Sequence, residues 1–306
     1  MDTWKKTGIA LAIASLMAGC GGGGSDDGDD EPGFSGTGQL NLAITDAPVD
    51  DATAVWVTIT GMHIKRTESS DERRVTLNGD DTVGNEIRVN LLTLANGGSA
   101  ALFADSVTSG EYQWIRFDVE EACIAFIDNA DPDDADECIP MTLPAQDQLK
   151  TAGAFTVPSN GIANITVDWD LRKGVVEQGS GNYRLKPVLH LREDEDVGAI
   201  SGVIQGLAAE CDNDEVAAVY VYSGNVTPGE IDGTGVEPFA SVKVQDDNEF
   251  FIGMLDPGTY TYAYTCDALL DEPETSEGIE FYESETAEVE ASEVTDVTYI
   301  PVLPPT

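Results

Sequence analysis

The clearest candidate chemistry lies in Asp128-Asn129-Ala130-Asp131-Pro132-Asp133-Asp134-Ala135-Asp136-Glu137, flanked by Cys123 and Cys138. Calcium takes about six to eight oxygens from a compact loop, and Asp128, Asp131, Asp133 and Asp136 are spaced to supply several of them. A disulfide at the base of the loop would hold such a ligand set in place. The spacing is not that of an EF-hand, because the sixth-position glycine and the closing glutamate are misplaced. A solvated acidic loop explains the same residues without a metal. Asp168-Trp169-Asp170 offers a second carboxylate pair, read more simply as a strand with two outward acids. Asp212-Asn213-Asp214-Glu215 is a weaker third cluster.

Acid–base and nucleophilic catalysis find little support. The chain has 2 histidines, His63 and His190, both within strand-like apolar patterns. No Gly-x-Ser-x-Gly elbow, His-Glu-x-x-His helix or phosphate-cradling glycine loop occurs, so no catalytic residue is marked out. A carboxylate pair could still serve a glycosidase, which needs one carboxyl held protonated in an apolar pocket. Aromatic stripes are a further candidate. Tyr112 and Trp114 share one strand face, opposite Ile115, Phe117 and Val119. Tyr220, Tyr222, Tyr260, Tyr262 and Tyr264 alternate in the same way. Such stripes can stack on sugars, although cross-strand packing explains them more simply.

Composition narrows the field. The 306 residues carry 57 Asp and Glu against 15 Lys and Arg, for a net charge of −42. Nucleic acid as a partner is excluded, because binding it requires clustered cations. Hydrophobic residues make up 41%, enough to argue against disorder as the meaning of the charge. Of 5 cysteines, Cys123, Cys138, Cys211 and Cys266 form an even set once Cys20 is set aside. Four cysteines allow three pairings. Proximity and the domain division favour Cys123–Cys138 and Cys211–Cys266, closures that stabilise by about 3 and about 4 kcal/mol.

The elements that must position these residues are strands. Leu40, Leu42 and Ile44 alternate, and so do Val55, Val57 and Ile59, with Gly61 read as a bulge. Further strands are expected at 73–77, 86–91, 113–119, 123–127, 155–157, 162–169 and 183–191. The stretch 91–104 reads as a turn or two of helix. After the charge run Arg192-Glu193-Asp194-Glu195-Asp196 a new set begins, at 199–204, 216–222, 241–244, 250–254, 258–266, 279–282 and 294–300. Short strands with regular turn signals and no helical period predict an all-β chain: an antiparallel β-sandwich over 39–195 and a smaller one over 196–306. Residues 20–38, rich in Gly, Ser, Asp and Glu, read as a disordered tether, and 1–19 as a signal peptide.

Three resemblances follow from particular residues. Lys5 and Lys6 precede an apolar run from Gly8 to Gly19, too short to span a bilayer. Leu16-Met17-Ala18-Gly19-Cys20 resembles the lipobox of bacterial lipoproteins, although Met17 stands where the family prefers Leu. This implies lipidation of Cys20 and anchoring in a membrane through the N-terminal lipid. Gly21, in place of an aspartate that would signal inner-membrane retention, implies the outer membrane. The segment Gly38-Gln39-Leu40-Asn41-Leu42-Ala43-Ile44-Thr45-Asp46-Ala47-Pro48 opens a domain similar to an uncharacterised family of bacterial lipoproteins, over about residues 36–192. Asn90-Leu91-Leu92, Gly110-Glu111-Tyr112, Asp168-Trp169-Asp170 and Tyr183-Arg184-Leu185-Lys186-Pro187 continue the likeness, which implies no chemistry. Ile200-Ser201-Gly202-Val203 and Phe250 to Tyr260 resemble the prealbumin-like modules of carboxypeptidase regulatory-like domains, usually spacers on exported proteins.

The expectation is a non-enzymatic, lipid-anchored protein of the outer-membrane surface with a binding or structural role. Calcium is its candidate cation and a glycan or surface protein its candidate ligand. The sequence leaves the oligomeric state open. The alternative is an enzyme acting on polysaccharide, or an accessory of one.

Overall fold

The four-stranded sheet that opens the chain explains where the later site forms. Its first strand, β1 (Thr37–Ala47), buries Leu40, Leu42 and Ile44 on one face and leaves polar residues on the other. The structure, a computed structural model, describes residues 36–47, 52–79, 81–134, 136–145, 149–151, 153–205, 211, 216–245, 247–273 and 275–300. The 1–19 signal peptide, Cys20, the tether up to residue 35 and the Asp212–Glu215 cluster lie outside those residues, and Thr37 and Gly38, read as the end of the tether, instead open β1.

The first half continues through β2 (Ala54–Arg66), β3 (Glu72–Val75), β4 (Ile87–Asn90), β5 (Ala100–Thr108), β6 (Gly110–Ala125), β7 (Ile139–Thr142), β8 (Phe155–Val157) and β9 (Ile162–Asp170). A single helical turn, α1 (Leu171–Gly174), leads to β10 (Val175–Glu177), β11 (Tyr183–Leu185) and β12 (Leu189–Glu193). One sheet has the order β12-β9-β1-β5, the other β10-β11-β7-β6-β2-β3 with β4 on β2 and β8 on β6. Their facing sides share one core, in which Leu42 and Ile44 meet Val57, Ile59, Phe117 and Trp169. Each such side chain contributes about 1.5–3 kcal/mol on burial. This is the expected sandwich of strands.

Three local readings change. Residues 91–104 hold only a 3₁₀ turn, Leu91–Leu94, before the chain enters β5. The Asn90 side chain accepts from the amides of Leu92 and Val55, at 3.2 and 3.0 Å, fixing the turn's start. Tyr112 and Trp114 do not share a face. The register of β6 against β2 shifts between Lys65 and Arg66, and the bulge at Gln113 turns Tyr112 into the core, where it stacks on Phe155 at 4.9 Å. Trp114 stays on the outer face beneath the Lys150 ammonium. The sheets are also not purely antiparallel, since β1–β9 and β7–β11 run parallel. Alternation reports burial and carries no information on strand direction.

The second half has β13 (Gly198–Ile204), β14 (Ala218–Ser223), β15 (Ala240–Lys243), β16 (Glu249–Leu255), β17 (Gly258–Thr265), β18 (Glu285–Val289) and β19 (Val294–Tyr299). They form sheets β16-β13-β19 and β15-β14-β17-β18, with β13–β19 a third parallel pair. Residues 279–282 are not a strand; β18 takes that place, burying Ala287 and Val289 between exposed acids. The tyrosine stripe is core. Tyr220, Tyr222, Tyr260, Tyr262 and Tyr264 are all buried, so it offers no stacking platform.

Among the described residues no strand ladder joins the two halves, yet they belong to one compact unit. Side chains make the join. Arg172 of α1 lies over the Tyr220 ring, 4.7 Å from its centroid, and donates to the Ala268 carbonyl at 3.1 Å. Its guanidinium also reaches the Tyr220 hydroxyl and, at 3.5 Å, the Asp271 carboxylate. Tyr220 in turn donates to Asp271 at 2.7 Å. Lys173 donates to the Pro238 carbonyl, and Arg192 pairs with Asp256 at 3.2 Å across the Phe239 ring. Among the described residues, no helix is long and apolar enough to cross a membrane.

Candidate functional site

Two stretches singled out in the sequence come together in the first sheet. β1 and β9 run in parallel register, so Thr45 lies beside Asp168, Asp46 beside Trp169 and Ala47 beside Asp170. On the other side of β9, His190 of β12 pairs with Asp168 and Leu189 with Trp169. Period-two alternation then sorts the residues. Val167 and Trp169 enter the core, while Thr166 and Asp168 stand on the outer face, towards the second half.

That face forms one wall of a cleft of about 360 Å³. Thr45, Thr166, Asp168 and Asp194 line the first-half wall; Ser241 and Phe251 line the opposite one. The hydroxyl of Thr45 donates to the carbonyls of Gly98 and Leu94, at 2.7 and 3.2 Å, and so fixes the 95–98 turn at the cleft's rim. Gly97 in that turn has φ +85°, and a Cβ there would come within 2.9 Å of the Phe251 ring. Only glycine meets both demands without strain.

Asp168 has an unusual environment. Burial pushes its carboxyl up to about 7, and the neighbouring Asp170 adds to the rise, against opposing pulls from Arg192 and Lys173. Those two cations are engaged elsewhere, Arg192 with Asp256 and Lys173 with Asp170 at 3.6 Å. Among the described residues no hydrogen bond or ion pair reaches the Asp168 carboxylate. Asp194 also holds its proton more tightly than usual, through burial first, with a hydrogen bond to Thr166 opposing. His190, across β12, is pushed down by burial.

Asp170 does not join Asp168 as a metal pair. Its carboxylate caps α1, accepting from the Lys173 amide at 3.1 Å. In the 128–136 loop, two of the four candidate acids are already engaged. Asp133 pairs with Arg88 at 2.6 Å, and Asp131 accepts from the Asp133 amide at 2.9 Å. Among the described residues, the one set of three metal-capable side chains with ligand atoms within 4.8 Å of one another is Glu230, Asp271 and Glu277. The structure therefore does not gather Asp128, Asp131, Asp133 and Asp136 into such a set. Asp271 is already engaged by Arg172, Tyr220 and the Ile231 amide, and Glu230 by Ser276 and the amides of Glu277 and Gly278. The disulfides are Cys123–Cys138 and Cys211–Cys266. His63 sits on the outer face between Asp118 and Glu72, at 3.1 and 3.3 Å.

Asp168 was visible in the sequence as one of two outward acids. Thr166 and Phe251 carried no local signal and Asp194 stands in the sequence only as part of a charge run, because Asp194 reaches Thr166 through the pairing of β12 with β9 and Phe251 joins them only when the two halves meet.

Residues 37–187 match the family model of a domain of unknown function, DUF4382. The match begins with β1 and takes in Thr45, Asp168 and Asp170. No curated protein matches the chain. Among solved structures, the Bacillus anthracis TIE protein aligns at 11% identity and TM-score 0.23, over 87% of this chain and 34% of its own. This chain thus spans about a third of that protein's length. GBS52, the minor pilin of Streptococcus agalactiae, aligns at 12% identity and TM-score 0.22, over 87% of this chain and 97% of its own. The shaft pilin SpaA of Lactobacillus rhamnosus GG aligns at 11% identity and TM-score 0.22, over 88% of this chain and 100% of its own. Likenesses this faint bear on neither site nor function.

Proposed function

We propose that the protein is a lipid-anchored component of the outer-membrane surface that holds a ligand in the Asp168 cleft. The single observation carrying the binding role is Asp168, a desolvated carboxylate with no partner among the described residues, facing a cleft between two β-halves. Clefts with convergent polar groups and a perturbed acid are the usual form of small-ligand sites. Anchoring rests on the sequence about Cys20. Calcium is not carried into this reading, because Asp131 and Asp133 are already bonded and, among the described residues, the four loop acids form no cluster of three ligand atoms. The binding role is tested on a glycan array with the full chain and its Asp168→Asn variant. Selective spots that the variant loses support it, and a blank array opposes it. Mass spectrometry of the membrane fraction tests the anchor, which fails if Cys20 is unmodified.

A second reading has its own observation. Asp168 and Asp194 share the cleft, and both hold protons more tightly than ordinary carboxyls. That is the condition for a general acid at a glycosidic bond. Release of reducing ends from a polysaccharide, lost in both Asp168→Asn and Asp194→Asn, would establish the enzyme. Turnover that survives both changes removes it.

A further inference from the structure

The lining of the cleft narrows the ligand's chemistry, on the reading that the cleft is a binding site. Asp168 and Asp194 are there, with Glu293 at the far side, and no Lys, Arg or His lines it. The only charged groups an anionic ligand would meet there are carboxylates. A divalent metal is poorly served as well, since Asp168 belongs to no set of three clustered carboxylates among the described residues and hard cations want about six or more oxygens. The hydroxyls of Ser99 and Ser241 line the same space and form no hydrogen bond to a described residue. Phe251 supplies an aromatic wall, and a ring of that kind attracts a cation placed over its face.

We propose that the cleft takes a protonated amine carried on a small hydroxylated framework, with Asp168 as the counter-ion to the ammonium. One carboxylate suffices for one ammonium. The free serine hydroxyls suit a ligand rich in hydroxyls, and Phe251 covers its apolar face. Asp168 without a ligand is a carboxylate lacking the partner that its burial calls for. An ammonium is a compact monovalent group that supplies both charge and donors. The charged groups near Asp168 are Asp170 at the end of β9 and Lys173 beyond it, His190 and Arg192 on β12, and Asp194 after it. None of the three basic ones lines the cleft.

The test is calorimetric titration of the full chain at pH 7 with glucosamine, N-acetylglucosamine and glucose. Glucosamine is expected to bind at least tenfold more tightly than the two neutral sugars. Asp168→Asn should bring it down to their level. Ser99→Lys, an exposed position at the rim, should weaken glucosamine by placing an ammonium in the cleft without touching Asp168. Equal binding of glucosamine and N-acetylglucosamine, unchanged in Asp168→Asn, overturns the amine while leaving a neutral-sugar site standing. No binding by any of the three, in a chain that melts normally, also overturns it; the binding role itself then falls only if the glycan array is blank.

Discussion

At the residue scale, Asp168 costs stability. Its unfolded value is near the ordinary 3.8, and in the fold burial raises it to about 7. The native state therefore holds the proton more tightly than the unfolded chain. Stability from this group is fully present below about pH 4 and is lost as pH rises through 7. Asp168→Asn keeps the neutral shape and removes the dependence. It should gain about 1–2 kcal/mol at pH 8, a figure reduced for the group's partial exposure, and nothing at pH 4. Urea midpoints at the two pH values give the answer; an equal change at both would contradict the assignment. Arg172 stands at the opposite extreme. Its side chain is 4% exposed and that of Asp271 is 0% exposed, so Arg172→Ala leaves a buried carboxylate without its cation. The expected loss is about 3–5 kcal/mol, read from the same denaturation curves. A loss below about 1 kcal/mol would show that the pair is solvated after all.

At the element scale, most strands were legible because burial on one face enforces alternation. β1, β2, β9 and β13 lie where Leu40–Ile44, Val55–Ile59, Ile162–Trp169 and Ala199–Ile204 alternate. β5 was hidden because Leu91, Leu92 and Leu94 read as helix formers, and only the Asn96-Gly97 turn, with both residues at positive φ, redirects the chain. β18 was hidden because only Ala287 and Val289 are buried in it and two of its exposed positions, Glu285 and Glu288, are acids like those of the loops around it. The bulge that separates Tyr112 from Trp114 depends on the pairing of β6 with β2, which no single segment encodes. The disulfides staple elements of each half, with sequence separations of 15 and 55. Replacing Cys123 and Cys138 by Ala should cost about 3 kcal/mol, and replacing Cys211 and Cys266 about 4 kcal/mol, in the loop-entropy account. Reversal of that order in chemical denaturation would show that strain or residual structure dominates.

At the scale of the whole molecule, the sequence shows two sets of strands and the charge run between them, and it hides how they meet. Two cores form on either side of residues 194–197, but Arg172, Lys173 and Arg192 all reach across. The sequence does not single out Arg172 or Lys173, and it shows Arg192 only as part of the charge run. The cleft is a product of that meeting, which is why its far wall of Ser241 and Phe251 had no signature. Calorimetry should show one cooperative transition for the full chain, and Arg172→Ala should separate it into two. Two transitions in the unaltered chain would mean that the side-chain contacts do not couple the halves.

Among the described residues Asp168 is a desolvated carboxyl without a partner, and it faces the cleft proposed to hold a ligand. Carbon-detected NMR titration of its side-chain carboxyl in the full chain tests this directly. A midpoint near 7 is the result the structure predicts; a midpoint near 4, like that of an exposed aspartate, would contradict it.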